Sequence, residues 1–308
     1  MAGEKAAYEV RSIREEDLES AGAACFEAFN HLAQQARLLT PHADFENVNI
    51  AVGVIRSKLE KLSDGVDGIV AVDADGKVLG GCFGEVMGEV VAVGPVFVRP
   101  EAGGQGIGKA VNAALLNKIQ ERQWSSVRLV QNTMNNVSFR LYHSLGYRVA
   151  DIWSFFTGFV KPKATAAHAN LGVRRLEEKD VPACAALYTE ATGLHREQNI
   201  REASAAWPSW VVTEGERIVG YRTSPIVTGH GVFETEAAFA ALHVAASKEL
   251  REKGGPPLAI HIPCRLYPKL IDWALRSGLK LARQNAHMVI GEYKDPKSRP
   301  IYSPSIEC

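Results

Sequence analysis

Short alternating or β-branched apolar stretches along this chain are interleaved with longer stretches of helical spacing, and their order predicts its elements. Residues 8–13 read as a strand. Asp17 stands where it can cap a helix whose apolar face is Leu18, Ala21, Cys25, Phe29 and Leu32. Residues 39–44 read as a loop and 48–62 as a second helix. Strands over 69–72 and 78–87 are joined by Asp73-Ala74-Asp75-Gly76, a hairpin signal. Residues 89–98 form a further strand with Gly94-Pro95 in its middle. Proline cannot donate to a ladder, so a bulge or an opened seam is expected there. A helix over 109–123, a strand over 127–131, a helix over 135–144 and one or two strands over 147–160 follow. Residues 161–170 are small and polar and read as a linker.

After the linker the pattern partly repeats. Val10-Arg11-Ser12-Ile13-Arg14-Glu15-Glu16-Asp17 matches Val173-Arg174-Arg175-Leu176-Glu177-Glu178-Lys179-Asp180, 163 residues later. Val78-Leu79-Gly80 matches Ile218-Val219-Gly220 at an offset of 140, and Leu145-Gly146-Tyr147 matches Ser277-Gly278-Leu279 at 132. Two copies of one α/β domain account for this, the second shorter by about 31 residues. The expected division is 1–160, a linker over 161–170, and 171–308.

One stretch carries candidate chemistry. Val96-Phe97-Val98-Arg99-Pro100 ends a strand, and Gly103, Gly104, Gln105, Gly106, Ile107, Gly108 and Lys109 lead into a helix. A glycine-dense helix entrance leaves backbone N–H groups aimed at one point, where the helix dipole also favours negative charge. That is a pyrophosphate cradle. Gly103 to Lys109 satisfies the GxxxxGK spacing of a P-loop, but Ala110 follows where Ser or Thr should hold Mg²⁺. A dinucleotide fingerprint starting at Gly104 would need glycine where Lys109 stands.

A third reading fits more of the chain. The strand, the Gly-Ile-Gly loop, the helix, the next strand, Asn135, and then Leu141-Tyr142-His143-Ser144-Leu145-Gly146-Tyr147 strongly resemble the GNAT-type N-acetyltransferase superfamily. The resemblance spans residues 8–160 by motif and 171–293 by architecture. It implies an α/β (α+β) fold: two tandem GNAT-like domains, each a mixed, splayed β-sheet flanked by helices, the second copy degenerate. It further implies acetyl-CoA as cosubstrate, with its arm on the strand backbone at Phe97 and Val98 and its pyrophosphate on the loop amides. Asn135 matches the family's Asn beside that arm, and Tyr142 matches the tyrosine that protonates the departing thiolate. Asn135 is equally suited to cap its helix, and Tyr142 to fill a core.

Two departures stand out. The family usually places Gln or Arg where Gly103 stands. Ala92, Val93, Gly94 and, on the later strand, Val130 occupy places where relatives hold a titratable base. Glu85, across the hairpin, is the nearest acidic candidate, acting through water; a solvated strand charge is its plain alternative. The second copy has Thr228-Gly229-His230-Gly231-Val232-Phe233-Glu234-Thr235-Glu236 in place of the loop. Its acidic residues suit a helix N-terminus but repel a pyrophosphate, so this half is not expected to bind acetyl-CoA. His261-x-x-Cys264 has half the spacing of a metal site and no second pair, so a core histidine and a buried thiol are expected, with no metal. Trp207-Pro208-Ser209-Trp210 reads as core packing at the start of a strand. The loop over 38–45 lies where the family contacts its acceptor.

Composition narrows the partners. With 46% hydrophobic and 23% charged residues, each half can bury a core. Lys+Arg and Asp+Glu balance at 35 each, which gives no support for nucleic acid or an anionic membrane. Five scattered cysteines without a CxxC pair suit a reduced, cytoplasmic compartment. No signal peptide and no spanning apolar run is evident. The expectation is an acetyl-CoA-dependent N-acetyltransferase acting directly on an amine, a small molecule in preference to a protein, as a monomer or homodimer. A non-catalytic acyl-CoA sensor and a transferase of longer acyl groups are the alternatives.

Overall fold

The computed structural model describes residues 7–35, 45–62, 65–120, 124–161 and 170–307. Most of the expected linker and of the 38–45 loop lies outside them. The chain packs as two compact units, Met1–Leu129 with Met134–Arg148, and Val130–Thr133 with Val149–Cys308. Residues 149–160, which the repeat counts with the first copy, thus pack with the second unit. Two sheets and eight α-helices form among the described residues, a mixed α/β architecture as expected.

In the first unit the strands β1 (Glu9–Ser12), β2 (Val66–Val72), β3 (Val78–Met87) and β4 (Val90–Val98) run antiparallel in that order, and β5 (Ser126–Asn132) joins β4 in parallel. Helices α1 (Leu18–Gln35) and α2 (Val48–Leu59) cover one face, with Ile13, Val70, Val78, Phe83 and Phe97 in the core beneath them. Asn47 caps α2 by accepting from Ile50 N at 3.2 Å. Helix α3 (Ile107–Ile119) covers the other face. It lies close because β3 is glycine-rich: a Cβ on Gly80 would meet Ile107 Cγ2 at 2.9 Å, and one on Gly84 would meet Leu115 at 3.3 Å. Helix α4 (Asn136–Ser144) completes the unit.

In the second unit, β6 (Arg148–Gly158) pairs antiparallel with β11 (Leu258–Pro263) and lies next to β12 (Lys280–Gly291). A separate sheet runs β13-β10-β9-β8-β7, with β7 (Leu171–Arg175), β8 (Trp210–Glu214), β9 (Arg217–Arg222), β10 (Gly231–Phe233) and β13 (Ile301–Ser303). Helices α5 (Val181–Thr192) and α6 (Glu197–Ala206) share a core with Val211, Tyr221 and Val232. Helices α7 (Glu236–Glu252) and α8 (Pro268–Arg276) share a larger one with Trp210, Phe233 and Ile260. Trp210 is core, as expected, and its indole Nε1 donates to Glu249 at 2.7 Å; Trp207 is exposed. Among the described residues no helix is long and apolar enough to cross a membrane.

Candidate active site in the first unit

The opening in the first sheet has a local cause. Strand β4 pairs with β5 only where Val90, Val91 and Ala92 face Ser126, Val127 and Arg128. Beyond that point, among the described residues, β4 keeps a strand partner on the β3 side alone. The ladder to β3 is itself broken there: Cys82 faces Val96 and Gly84 faces Val93, so Gly94 and Pro95 together oppose the single Phe83. This is the bulge that the proline requires. It twists the strand just where its pairing to β5 ends. Phe97 sends its ring into the core, and the far backbone edge of Phe97 and Val98 has no strand against it among the described residues.

Arg99 fixes the end of this strand, and sequence reasoning passed over it. Its Nε donates to Val78 O at 2.7 Å, Nη2 donates to Ser20 O at 3.1 Å, and Nη1 pairs with Glu27 at 2.5 Å. The guanidinium is buried. A cation directly before Pro100 at a strand end was the available signal.

The glycine loop then enters α3, which begins at Ile107, two residues before the expected start. Gly104 and Gly106 have φ of +78° and +87°, a region that strains any side chain, and Gly106 occupies the N-cap. The N–H groups of Ala102 and Gly103 turn back to Arg99 O and Pro100 O, and Ala110 N begins the helix ladder to Gly106 O. The N–H groups of Gly104, Gln105, Gly106, Ile107, Gly108 and Lys109 donate to no protein acceptor among the described residues. The space before them is open: a Cβ on Gly104 would meet nothing within 4 Å, and one on Gly106 only the Tyr8 hydroxyl at 3.9 Å. Gln105 Oε1 is buried without a partner. Unpaired donors, a helix N-terminus and vacant space suit a diphosphate.

Asn135 caps α4, its Oδ1 accepting from Ser138 N at 3.0 Å. One turn on, Leu141 packs 3.1 Å from the position of a Cβ on Gly108, which joins α4 to the loop helix. Tyr142 is buried, with Tyr147 edge-on at 5.8 Å between ring centroids. Burial pushes its phenol above the ordinary tyrosine value, and the nearby Cys82 thiol adds to that. Its hydroxyl has no hydrogen-bond partner among the described residues. A protonated phenol that no protein acceptor engages can give its proton to a sulfur that is gaining charge.

Glu85 faces Ala92 across the β3–β4 ladder. Its carboxylate bonds Lys58 of α2, and Lys61 lies 3.6 Å away. Burial raises its pKa, the charges of Lys58 and Lys61 lower it, and the lysines prevail. Glu85 is therefore ionised and a weaker base than an ordinary carboxylate.

The second unit has the same seam with different contents. Gly220 faces Phe233 across β9–β10, as Gly80 faces Val98 across β3–β4. The free edge of β10 is taken by β13, with Gly231 facing Ser303 and Phe233 facing Ile301. Thr235 caps α7 by accepting from Ala238 N at 3.1 Å, so a side chain occupies a helix start that the first unit leaves bare. His261 is core: its ring stacks on Phe155 at 4.7 Å, and burial lowers its pKa to about 3. Cys264 is only half-buried, not the buried thiol expected, and its thiol lies 3.2 Å from Ser154 Oγ. Among the described residues no three His, Cys, Asp or Glu side chains cluster as for a metal ion.

Comparisons with known proteins agree with this geometry. The profile of the FR47-like protein family matches residues 67–155, from β2 through the opening and α4 into β6. Mycothiol acetyltransferase of Paenarthrobacter aurescens (strain TC1) is 31% identical over 126 residues, which is 39% of this chain and 36% of that enzyme. The chain therefore spans about a third of the length of the curated relatives it matches. A candidate acetyltransferase from Pyrococcus horikoshii shares the fold at a TM-score of 0.75 and 15% identity, over 97% of this chain and 94% of its own. A tandem GNAT protein from the clavulanic acid biosynthesis pathway does so at 0.59 and 13% identity, over 94% and 100%.

Proposed function

We propose that this chain, a member of the GNAT-type N-acetyltransferase superfamily with two GNAT folds in tandem, moves an acetyl group from acetyl-CoA directly to a primary amine in its first unit. The observation that carries the reading is the set of unpaired N–H groups at Gly104, Gln105, Gly106, Ile107, Gly108 and Lys109 beside the free edge of β4. These amides would hold the CoA diphosphate, the backbone at Phe97 and Val98 its pantetheine amides, and Asn135 would flank the arm. Bound acetyl-CoA would supply the thioester. Tyr142 then holds a proton for the departing sulfur.

The attacking amine must be neutral. Positions 92–94 and 130 carry no titratable group, and the lysine pair weakens Glu85, so solvent water takes the proton, with Glu85 as an indirect relay at most. The relative from P. aurescens is named for mycothiol and not for a protein, which supports a small-molecule amine as acceptor. The absence of a strong base supports the second reading, an acyl-CoA sensor without turnover. Scattered free thiols, Cys25, Cys82 and Cys184 buried and Cys264 half-buried, suit a cytoplasmic, reduced setting.

The test is a thermal-shift series with acetyl-CoA, longer acyl-CoAs, ATP and NAD, followed by an amine screen read by release of free thiol. Stabilisation by acetyl-CoA and amine-dependent thiol release are expected. Tyr142→Phe should lower kcat by roughly 100-fold and leave the KM for acetyl-CoA nearly unchanged. Stabilisation by ATP alone would remove the reading. Binding without turnover for every amine would establish the sensor.

A further inference from the structure

Arg222 ends β9 with its side chain wholly buried. Its Nη2 donates to Ala259 O on β11, while Nε and Nη1 have no partner among the described residues. No carboxylate acts on it; burial is the one influence on its pKa, which falls to about 9 and leaves the group charged at neutral pH. Three histidine rings feel its charge, His230, His243 and His261; burial depresses all three first, Arg196 adds to this at His230 and Arg283 at His261 ahead of Arg222, and His243 and His261 fall to about 3. His243 Nδ1 is already taken, 2.7 Å from Phe239 O. Arg222 thus brings a positive charge and unsatisfied donors into the interior, with no counter-ion acting on it among the described residues. Such an arrangement is strongly destabilising unless something negative joins it.

The fold does not require an arginine here. Arg222 faces Gly231 two residues beyond the Gly220–Phe233 pair, and Cys82 faces Val96 two residues beyond Gly80–Val98. The same strand position in the first unit is therefore filled by a neutral, buried thiol. What differs nearby is the covering strand: β13 closes the β10 edge, and Ser303 Oγ donates to His261 O at 2.8 Å. An anion that meets two guanidinium donors inside a close-packed interior has to be small, because a carbon body would need space that such an interior lacks.

We propose that the second unit binds a small monovalent anion of halide size against Nε and Nη1 of Arg222. The anion supplies the missing counter-charge and makes stability depend on halide concentration. The experiment uses the whole chain at fixed ionic strength, with chloride or bromide replaced stepwise by gluconate, and sulfate as the larger oxyanion. The melting temperature is expected to rise roughly 2–4 °C for each tenfold increase in halide above its Kd. Gluconate and sulfate should not substitute. In Arg222→Met the dependence should vanish, with stability in gluconate equal to or above that of the parent, because no buried charge remains. Crystals grown in bromide should show an anomalous peak beside Arg222, a readout independent of how the variant folds. Equal melting in chloride and gluconate, equal stabilisation by sulfate, or ordered water without an anomalous peak would each overturn the proposal.

Discussion

Arg174 holds Asp180 with two hydrogen bonds, Nη1 to Oδ2 at 2.5 Å and Nη2 to Oδ1 at 2.9 Å. Asp180 Oδ2 also accepts from Glu177 N at 2.9 Å and so fixes the turn into α5. The repeat places Arg11, Arg14 and Asp17 at these positions in the first unit, and the same bonds recur there: 2.7 and 2.9 Å from the guanidinium and 2.8 Å from Arg14 N. Asp17 therefore serves its helix through the preceding turn, where the sequence alone suggested a direct cap. Asp180→Ala leaves the Glu177 N–H and the partly exposed Arg174 guanidinium without their acceptor, and should cost about 1 kcal/mol in urea unfolding at pH 7. Asp180→Asn should cost less.

The acid dependence of that bond has a definite sign. The Arg174 hydrogen bond comes first in holding the Asp180 carboxyl below its ordinary value. The folded pKa is below the unfolded one, so the stabilisation is complete above the unfolded value of about 3.9 and disappears as pH falls through the folded value. The stability gap between the parent and Asp180→Asn should accordingly be full at pH 6 and shrink toward zero as the pH is lowered below 4. A gap unchanged down to pH 2 would mean that the bond does not depend on the charge.

The loop offers a sharper probe of binding. Gly106 has φ +87° at the N-cap of α3, and its side-chain position opens toward the unpaired amides. Gly106→Glu adds about 1–2 kcal/mol of backbone strain and places a carboxylate where the diphosphate belongs. Affinity for acetyl-CoA should fall more than 100-fold by calorimetry, with circular dichroism unchanged. Gly103→Arg, which restores the side chain the family carries there, should tighten binding. Its φ of −61° suits any residue, and the added Cβ would meet Pro100 O at 3.1 Å, a contact that a small shift of the turn relieves.

Glu85 separates a structural charge from a catalytic one. Lys58 and Glu85 have only 12% and 13% of their side chains exposed. Glu85→Gln leaves two lysines without their counter-charge and should cost about 2–4 kcal/mol. If water takes the proton, kcat in this variant stays within about threefold of the parent under conditions where both are folded, and the acid limb of the pH–rate profile keeps its position. A loss of 100-fold or more with that limb moved would make Glu85 the base.

The sequence disclosed what depends on neighbours in the chain. Pro95 inside an apolar strand foretold the bulge, the glycines foretold the bare helix start, and the matched Arg-to-Asp spacing foretold two copies. What it hid depends on pairing across distance. Lys58 reaches Glu85 from another element 27 positions away, and each charge alone reads as solvated. Strand β6 finds its partner in β11, with Gly158 facing Leu258, and nothing in either strand names the other. Arg222 looks like an ordinary strand-end cation until its surroundings close over it.

Ile301-Tyr302-Ser303 carries no sign in sequence of its place, yet it covers in the second unit a strand edge whose counterpart in the first has no strand partner among the described residues. As β13 it takes the edge of β10, the counterpart of the β4 edge left free in the first unit. Tyr267 anchors it: the phenol donates to Lys297 O at 2.9 Å and accepts from Tyr302 N at 3.1 Å. At the helix start beyond, Thr235 already caps α7, and Glu234 and Glu236 add negative charge. A diphosphate would meet repulsion there, and the pantetheine amides would find their hydrogen bonds taken. Isothermal titration should therefore give one acetyl-CoA per chain, falling to none in Gly106→Glu. Removing residues 299–308 strips the β10 edge and the cover of a buried core, so the melting temperature should drop while the stoichiometry stays at one. A second equivalent bound by the truncated chain would show that β13 alone had closed the site, and that the acidic helix start does not repel the diphosphate.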